Sequence, residues 1–144
     1  MRTMKRMRGA SFLVAVTFAA EIGDVRRFDT PRQLMSFLGL VPAESSTGDT
    51  IRRKGLTLAG NRRARRALIE AAWTYRYPAR VSEGPARGTA EARARHRLEG
   101  ARFVSCARYR HLSATGKKLP IVVAAIAREI AAFLWAIGRE VAPA

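Results

Sequence analysis

The sequence predicts an all-α fold, on three observations. Apolar residues recur with helical rather than alternating spacing, helix start and stop residues fall where those runs begin and end, and no segment alternates as a strand would. The chain has 144 residues, 48% of them apolar, enough for one domain with a core and too few for two ordinary ones. No internal repeat or heptad run is present.

The elements follow in order. Residues 11–22 read as a first helix, stopped by Gly23. Thr30 offers an N-cap, Pro31 the first helical position and Gln33 the reciprocal side chain of a capping box, for a second helix to about 38 closed by Gly39. Residues 41–60 turn to Pro, Ser, Thr and Gly with scattered charge and read as a loop. Asn61 caps a third helix through about 77, where Pro78 ends it. A loop is expected at 82–88. Helical pattern resumes near Thr89 and runs to about 112, with an interruption at Gly100. After the Gly116-Lys117-Lys118 turn, Pro120 starts a long last helix to about 141.

Charge is the strongest compositional feature. Twenty-seven Lys and Arg face 11 Asp and Glu, a net charge of +16. Codon bias explains Arg in place of Lys but not the shortage of acids. Self-repulsion of this size points to a polyanionic partner, nucleic acid ahead of an anionic membrane surface. Between Asp49 and Glu70 lie seven cations and no acid: Arg52, Arg53, Lys54, Arg62, Arg63, Arg65 and Arg66. Free N–H groups at the helix start after Asn61, beside guanidinium forks, suit phosphate. A solvated arginine-rich face is the plainer alternative, and the lack of interleaved acids favours phosphate.

Other candidates are weaker. Glu44-Ser45-Ser46-Thr47-Gly48 is turn-forming chemistry. No histidine lies near enough in sequence to activate a serine there, so neighbouring arginines would suit phosphoryl transfer better than acyl transfer. His96 and His111 have neither metal-ligand spacing nor a partner and read as surface residues. Cys106 is single, with no disulfide or metal pattern, and reads as a buried apolar residue. Trp73 reads as core, Tyr75 and Tyr77 as core or as base-stacking aromatics, and Trp135 as packing. The basic residues 1–8 followed by an apolar run imitate a secretory signal. The run, however, passes directly into Glu21-Ile22-Gly23-Asp24, which reads as a helix ending, so export is the minor reading. Arg128 and Glu129 at the centre of the last apolar run argue for a partly buried helix, no membrane partner and a cytoplasmic chain.

Taken in series, these residues resemble a known family. Ala20-Glu21-Ile22-Gly23-Asp24, Arg27-Phe28 and Gly39-Leu40-Val41-Pro42 are followed by Ser46-Thr47-Gly48, Thr57, Gly60-Asn61 and Arg65-Arg66-Ala67-Leu68. Glu70-Ala71-Ala72-Trp73, Cys106-Ala107-Arg108-Tyr109-Arg110, Gly116-Lys117, Ala125-Ile126-Ala127-Arg128-Glu129 and Trp135-Ala136-Ile137 complete the series. The ordered set resembles the C-terminal Tnp domain of IS110-type insertion-sequence transposases, over most of the chain apart from about 81–104.

The resemblance implies a helical Tnp domain over 1–144, with a helix-hairpin-helix-like N-terminal unit and a nucleophilic serine. It implies DNA recombination through a phosphoserine, and for some members a guide RNA. The serine falls on Ser46, with Thr47 the variable middle position and Gly48 the turn glycine. The segment around Gly60, Asn61 and the arginines would hold DNA or guide. The family's RuvC-like domain is expected to be absent. Mg²⁺ is therefore expected only through that domain, in trans or by self-association, and no metal site on this chain. Leu58 stands where relatives usually carry Lys, and Ser45 where an aromatic is common. The expectations divide between a serine-type recombinase domain that does not react alone and an inactive nucleic-acid-binding remnant.

Overall fold

The computed structural model describes residues 12–78 and 89–141. At 12–15, 44–47, 51–54, 89–95, 98 and 141 it describes the backbone alone. The basic residues 1–8 and the loop expected at 82–88 lie outside the described residues. Five α-helices dominate: α1 (Phe12–Ile22), α2 (Pro31–Phe37), α3 (Arg62–Trp73), α4 (Thr89–Ala114) and α5 (Leu119–Val141). A two-stranded antiparallel hairpin, β1 (Pro42–Thr47) and β2 (Thr50–Leu56), joins α2 to α3. The expected all-helical chain is thus mostly helical.

Local chemistry sets the helix ends. α1 stops at Gly23, whose φ is +66°. The Asp24 carboxylate then accepts from the Arg26 N–H and caps the 3₁₀ turn Val25–Arg27. At α2, Thr30 Oγ1 accepts from the Gln33 N–H, and Pro31 occupies the first turn. The reciprocal bond lies one residue earlier than in a standard capping box: the Asp29 N–H donates to Gln33 Oε1 at 2.7 Å. Gly39, at φ +68°, closes α2 as a Schellman motif, with the Leu40 N–H on the Met35 carbonyl and the Gly39 N–H on that of Ser36. Gly116 closes α4 in the same way, through the Leu112 and Ser113 carbonyls.

Three expected boundaries change, the first being the end of α3, which stops at Trp73 rather than near 77 and passes into a 3₁₀ turn over Thr74–Arg76. The segment 41–60 is not a loop throughout, because 42–56 form the hairpin and only the remainder up to Asn61 is irregular. Gly48 takes the first turn position with φ +60°, the backbone of a type II′ hairpin turn, between the paired Thr47 and Thr50. A register shift between Pro42 and Glu44 bulges the ladder near Gly55. The interruption expected at Gly100 does not occur: α4 is continuous through 26 residues.

The core collects one stripe from each helix. Phe18 and Ile22 of α1 bury with Ala64, Leu68, Ala71 and Ala72 of α3. Leu34 and Leu38 meet α5, which also packs on α3 and α4 through Val122, Ile126, Ile130 and Leu134. Contact with three helices explains why α5 is apolar almost all round. By length and composition, residues Leu119–Glu140 are sufficient to cross a membrane, and here they form the helix on which α2, α3 and α4 pack. Cys106 is buried, as expected of a lone thiol.

Candidate nucleic-acid interface

The interface is built where α2 ends and α3 begins. α3 is amphipathic: Ala64, Ala67, Leu68, Ala71 and Ala72 face the core, while Arg62, Arg63, Arg66 and Glu70 face solvent. Asn61 caps it, its Oδ1 accepting from the Ala64 N–H at 3.0 Å. The same side chain donates through Nδ2 to Glu21 Oε2 at 2.6 Å, which fixes α3's first turn against the end of α1. The Asn61 N–H in turn donates to the Phe37 carbonyl at 2.8 Å.

Gly60 and Gly39 permit this approach. A Cβ on Gly60 would collide with the Phe37 carbonyl oxygen, and its φ of +140° suits glycine alone. A Cβ on Gly39 would lie 2.7 Å from Arg65 Nη1 and 2.8 Å from the Ala59 carbonyl oxygen. Leu58, in the left-handed region at φ +53° and exposed, makes the turn between them.

The cations do not act as one set. Arg65 points inward: it is buried, and its Nη1 donates to the Leu38 carbonyl at 3.0 Å, satisfying the C-terminal end of α2. Sequence reasoning grouped it with its exposed neighbours. The distinguishing signal was available, because Arg65 falls in the same helical stripe as Leu68 and Ala72. Arg62, Arg63 and Arg66 remain outside. The latter two are 83% and 80% exposed, Arg63 standing 3.7 Å from Glu21 and Arg66 3.1 Å from Glu70. Such exposed pairs are weak and leave the guanidinium groups open to competition by phosphate.

The hairpin leads into this surface. Ser46 lies in β1, one residue from the turn, with its backbone paired to Ile51, while Ser45 pairs with Arg52 and Glu44 with Arg53. Arg52, Arg53 and Lys54 therefore share the ladder with Ser46, and Thr57 returns the chain to α3 by donating to the Val41 carbonyl. Among the described residues no group of three or more His, Cys, Asp or Glu would hold a metal. His96 and His111 are exposed.

The aromatics redistribute. Tyr75 is buried, whereas Trp73 is 37% exposed rather than core, and Tyr77 is exposed with the Arg76 guanidinium 4.7 Å from its ring centre. Trp135 packs as expected, with Nε1 donating to the Phe28 carbonyl at 2.8 Å.

Comparison with known proteins gives this arrangement its context. A family model described as the transposase IS116/IS110/IS902 family matches residues 1–83. The putative transposase y4qE of Sinorhizobium fredii (strain NBRC 101917 / NGR234) is 50% identical over 139 residues, which are 95% of this chain and 36% of that protein. The transposase for insertion sequence element IS1111A of Coxiella burnetii (strain RSA 493 / Nine Mile phase I) is 38% identical over 64 residues, 44% of this chain and 18% of that protein. The chain thus spans about a third of the length of the first relative and less of the second. A model match over more than half of the chain, with a half-identical relative along nearly all of it, places this protein in the IS116/IS110/IS902 transposase family.

Proposed function

We propose that this chain is the DNA-gripping, serine-bearing part of an insertion-sequence transposase. The observation that carries the reading is the joint between hairpin and α3. Arg62, Arg63 and Arg66 stand exposed at a capped helix start, and the ladder of Arg52, Arg53 and Lys54 also carries Ser46. Helix-start N–H groups and guanidinium forks bind the phosphate backbone without regard to base sequence. Of the residues expected to bind, Arg65 and Asn61 are engaged within the protein and shape this surface. α1 and α2 would complete a helix-hairpin-helix-like grip, and a guide RNA from the element is a second ligand for the same surface. The chain would work in the cytoplasm, where its DNA lies.

In this reading Ser46 Oγ attacks a DNA phosphorus. The Oγ–P bond forms, the P–O bond to a deoxyribose hydroxyl breaks, and the serine proton leaves with that hydroxyl. Arginines beside the hairpin offset the charge that grows on the phosphoryl oxygens. A RuvC-like domain, which the family resemblance implies, would hold Mg²⁺. The chain alone is accordingly expected to bind and not to react.

The test is a covalent-adduct assay in trans. A full-length relative with its own serine replaced by alanine supplies the acidic domain and guide RNA, and this chain is added with labelled DNA and Mg²⁺. A denaturant-resistant adduct of this chain's mass that disappears in Ser46→Ala supports the nucleophile. Salt-sensitive binding without an adduct reduces the function to nucleic-acid binding alone.

A further inference from the structure

A second cationic surface lies away from Ser46. From Gly100 to Arg128 the chain has six cations and no acid: Arg102, Arg108, Arg110, Lys117, Lys118 and Arg128. α4 and α5 form an antiparallel pair, and their connection brings three of these cations to one end. Arg110, Lys117 and Lys118 are all exposed there, beside His111, at the end of α4 and in the turn before α5. Of the two acids in α5, Glu140 lies at the far end and pairs with Arg97, while Glu129 is half-buried and already engaged. It accepts from Ser105 Oγ at 3.1 Å and from Arg108 Nε at 2.9 Å, so Arg108 is anchored while the turn cations are not neutralised by it.

This surface is remote from the first. Glu21, which holds Asn61 at the start of α3, lies at the end of α1. Val25, four residues on, packs against Gly138 near the C-terminal end of α5: a Cβ there would lie 2.8 Å from Val25 Cγ1. Trp135 and Arg139 both donate to the Phe28 carbonyl in the same region. Lys117 and Lys118 precede the opposite end of α5. That helix has 23 residues, so the two surfaces lie toward opposite ends of an element roughly 35 Å long at 1.5 Å per residue.

We propose that the α4–α5 turn is a second phosphate-binding surface, through which the chain holds nucleic acid at a point distinct from the α3 start. The inference rests on the nucleic-acid reading of the first surface and extends it. The spacing is on the order of one turn of duplex DNA, which is also about 34 Å. A duplex of 30 base pairs is therefore long enough to reach both surfaces. The acid-free interval gives the patch its partner: a backbone carrying one negative charge every few ångströms neutralises it, whereas a protein or solvent surface of mixed sign does not.

The four lysines of the chain, Lys5, Lys54, Lys117 and Lys118, make the test direct. The chain is acylated at its amines with and without an equimolar 30-base-pair duplex, and each lysine is followed by mass spectrometry. Protection of Lys54 together with Lys117 and Lys118 is the expected result. Protection of Lys54 alone overturns the second surface and leaves the first standing. Protection of none, with no salt-dependent binding, overturns both. A second measurement uses Lys117→Ala with Lys118→Ala, both at exposed positions, and reads the slope of log affinity against log salt. The slope should shrink by about 1.8, at about 0.9 per contact. An unchanged slope overturns the proposal.

Discussion

Arg65 and Arg66 are adjacent in the chain and differ in what their guanidinium groups do. Arg65 is buried against the Leu38 carbonyl, while Arg66 is 80% exposed beside Glu70. Arg65→Ala would leave the end of α2 without that donor and open a gap under α3. A loss of about 2–3 kcal/mol is expected in urea unfolding, with the folded variant keeping near-normal DNA affinity. Unchanged stability would show that the buried bond contributes nothing. Gly60→Ala meets the Phe37 carbonyl at a φ no alanine tolerates, and should cost more than about 1 kcal/mol by the same measurement. Burial holds the Glu129 carboxyl above the usual carboxylate range, with Arg108 and Ser105 pulling partly back. A folded-state value raised above that of the unfolded chain means stability is greatest below the ordinary value, 4.5, and is lost as pH rises through the higher one. Comparing unfolding of Glu129→Gln with the parent across pH 4–7 should therefore show the parent losing ground as pH increases. A parent that gains ground instead would reverse the sign.

Most helix boundaries were legible because each ends on a residue with a specific physical task. Gly23, Gly39 and Gly116 all take positive φ, and Thr30 and Asn61 supply cap oxygens to N–H groups three residues on. The hairpin was not legible. Its strands carry Pro42, Glu44, Ser45 and Ser46 against Arg52, Arg53 and Lys54, so no apolar alternation announces them, and their pairing follows from the Gly48 turn. The distant motifs of the first and third helices were legible as a series but not as a place. Glu21, Gly39, Gly60, Asn61 and Arg65 meet at the single joint between the end of α2 and the start of α3. No spacing rule brings residues 40 positions apart together. Gly100 misled in the other direction, since helix propensity is a local preference and α5 packs along α4. Nothing lies within 4 Å of a Cβ placed there, and the position is exposed. Gly100→Ala should raise stability by roughly 0.5–1 kcal/mol, read as a higher melting temperature; a lower one would mean that α4 needs the glycine.

For the whole molecule the net charge of +16 is the constraint that the fold leaves unanswered. Among the described residues, ion pairs engage Arg26, Arg63, Arg66, Arg97 and Arg108, mostly at exposed positions. Sequence composition points to a polyanionic partner, and on α3 the Asn61 cap and the Arg65 bond decide which arginines remain outside for the proposed grip. The catalytic role proposed for Ser46 rests on the family resemblance, since a serine in a short strand carries no activating neighbour in sequence.

The decisive measurement is the affinity of this chain for a 30-base-pair duplex between about 50 and 200 mM salt, beside Arg62→Ala/Arg63→Ala/Arg66→Ala. Binding is expected to weaken steeply with salt, by about a thousandfold or more if roughly 6–10 phosphates are contacted, and the triple variant should lower the slope by about 2.7. An affinity indifferent to salt, or a triple variant with the parent's slope, would contradict the proposed grip on the phosphate backbone.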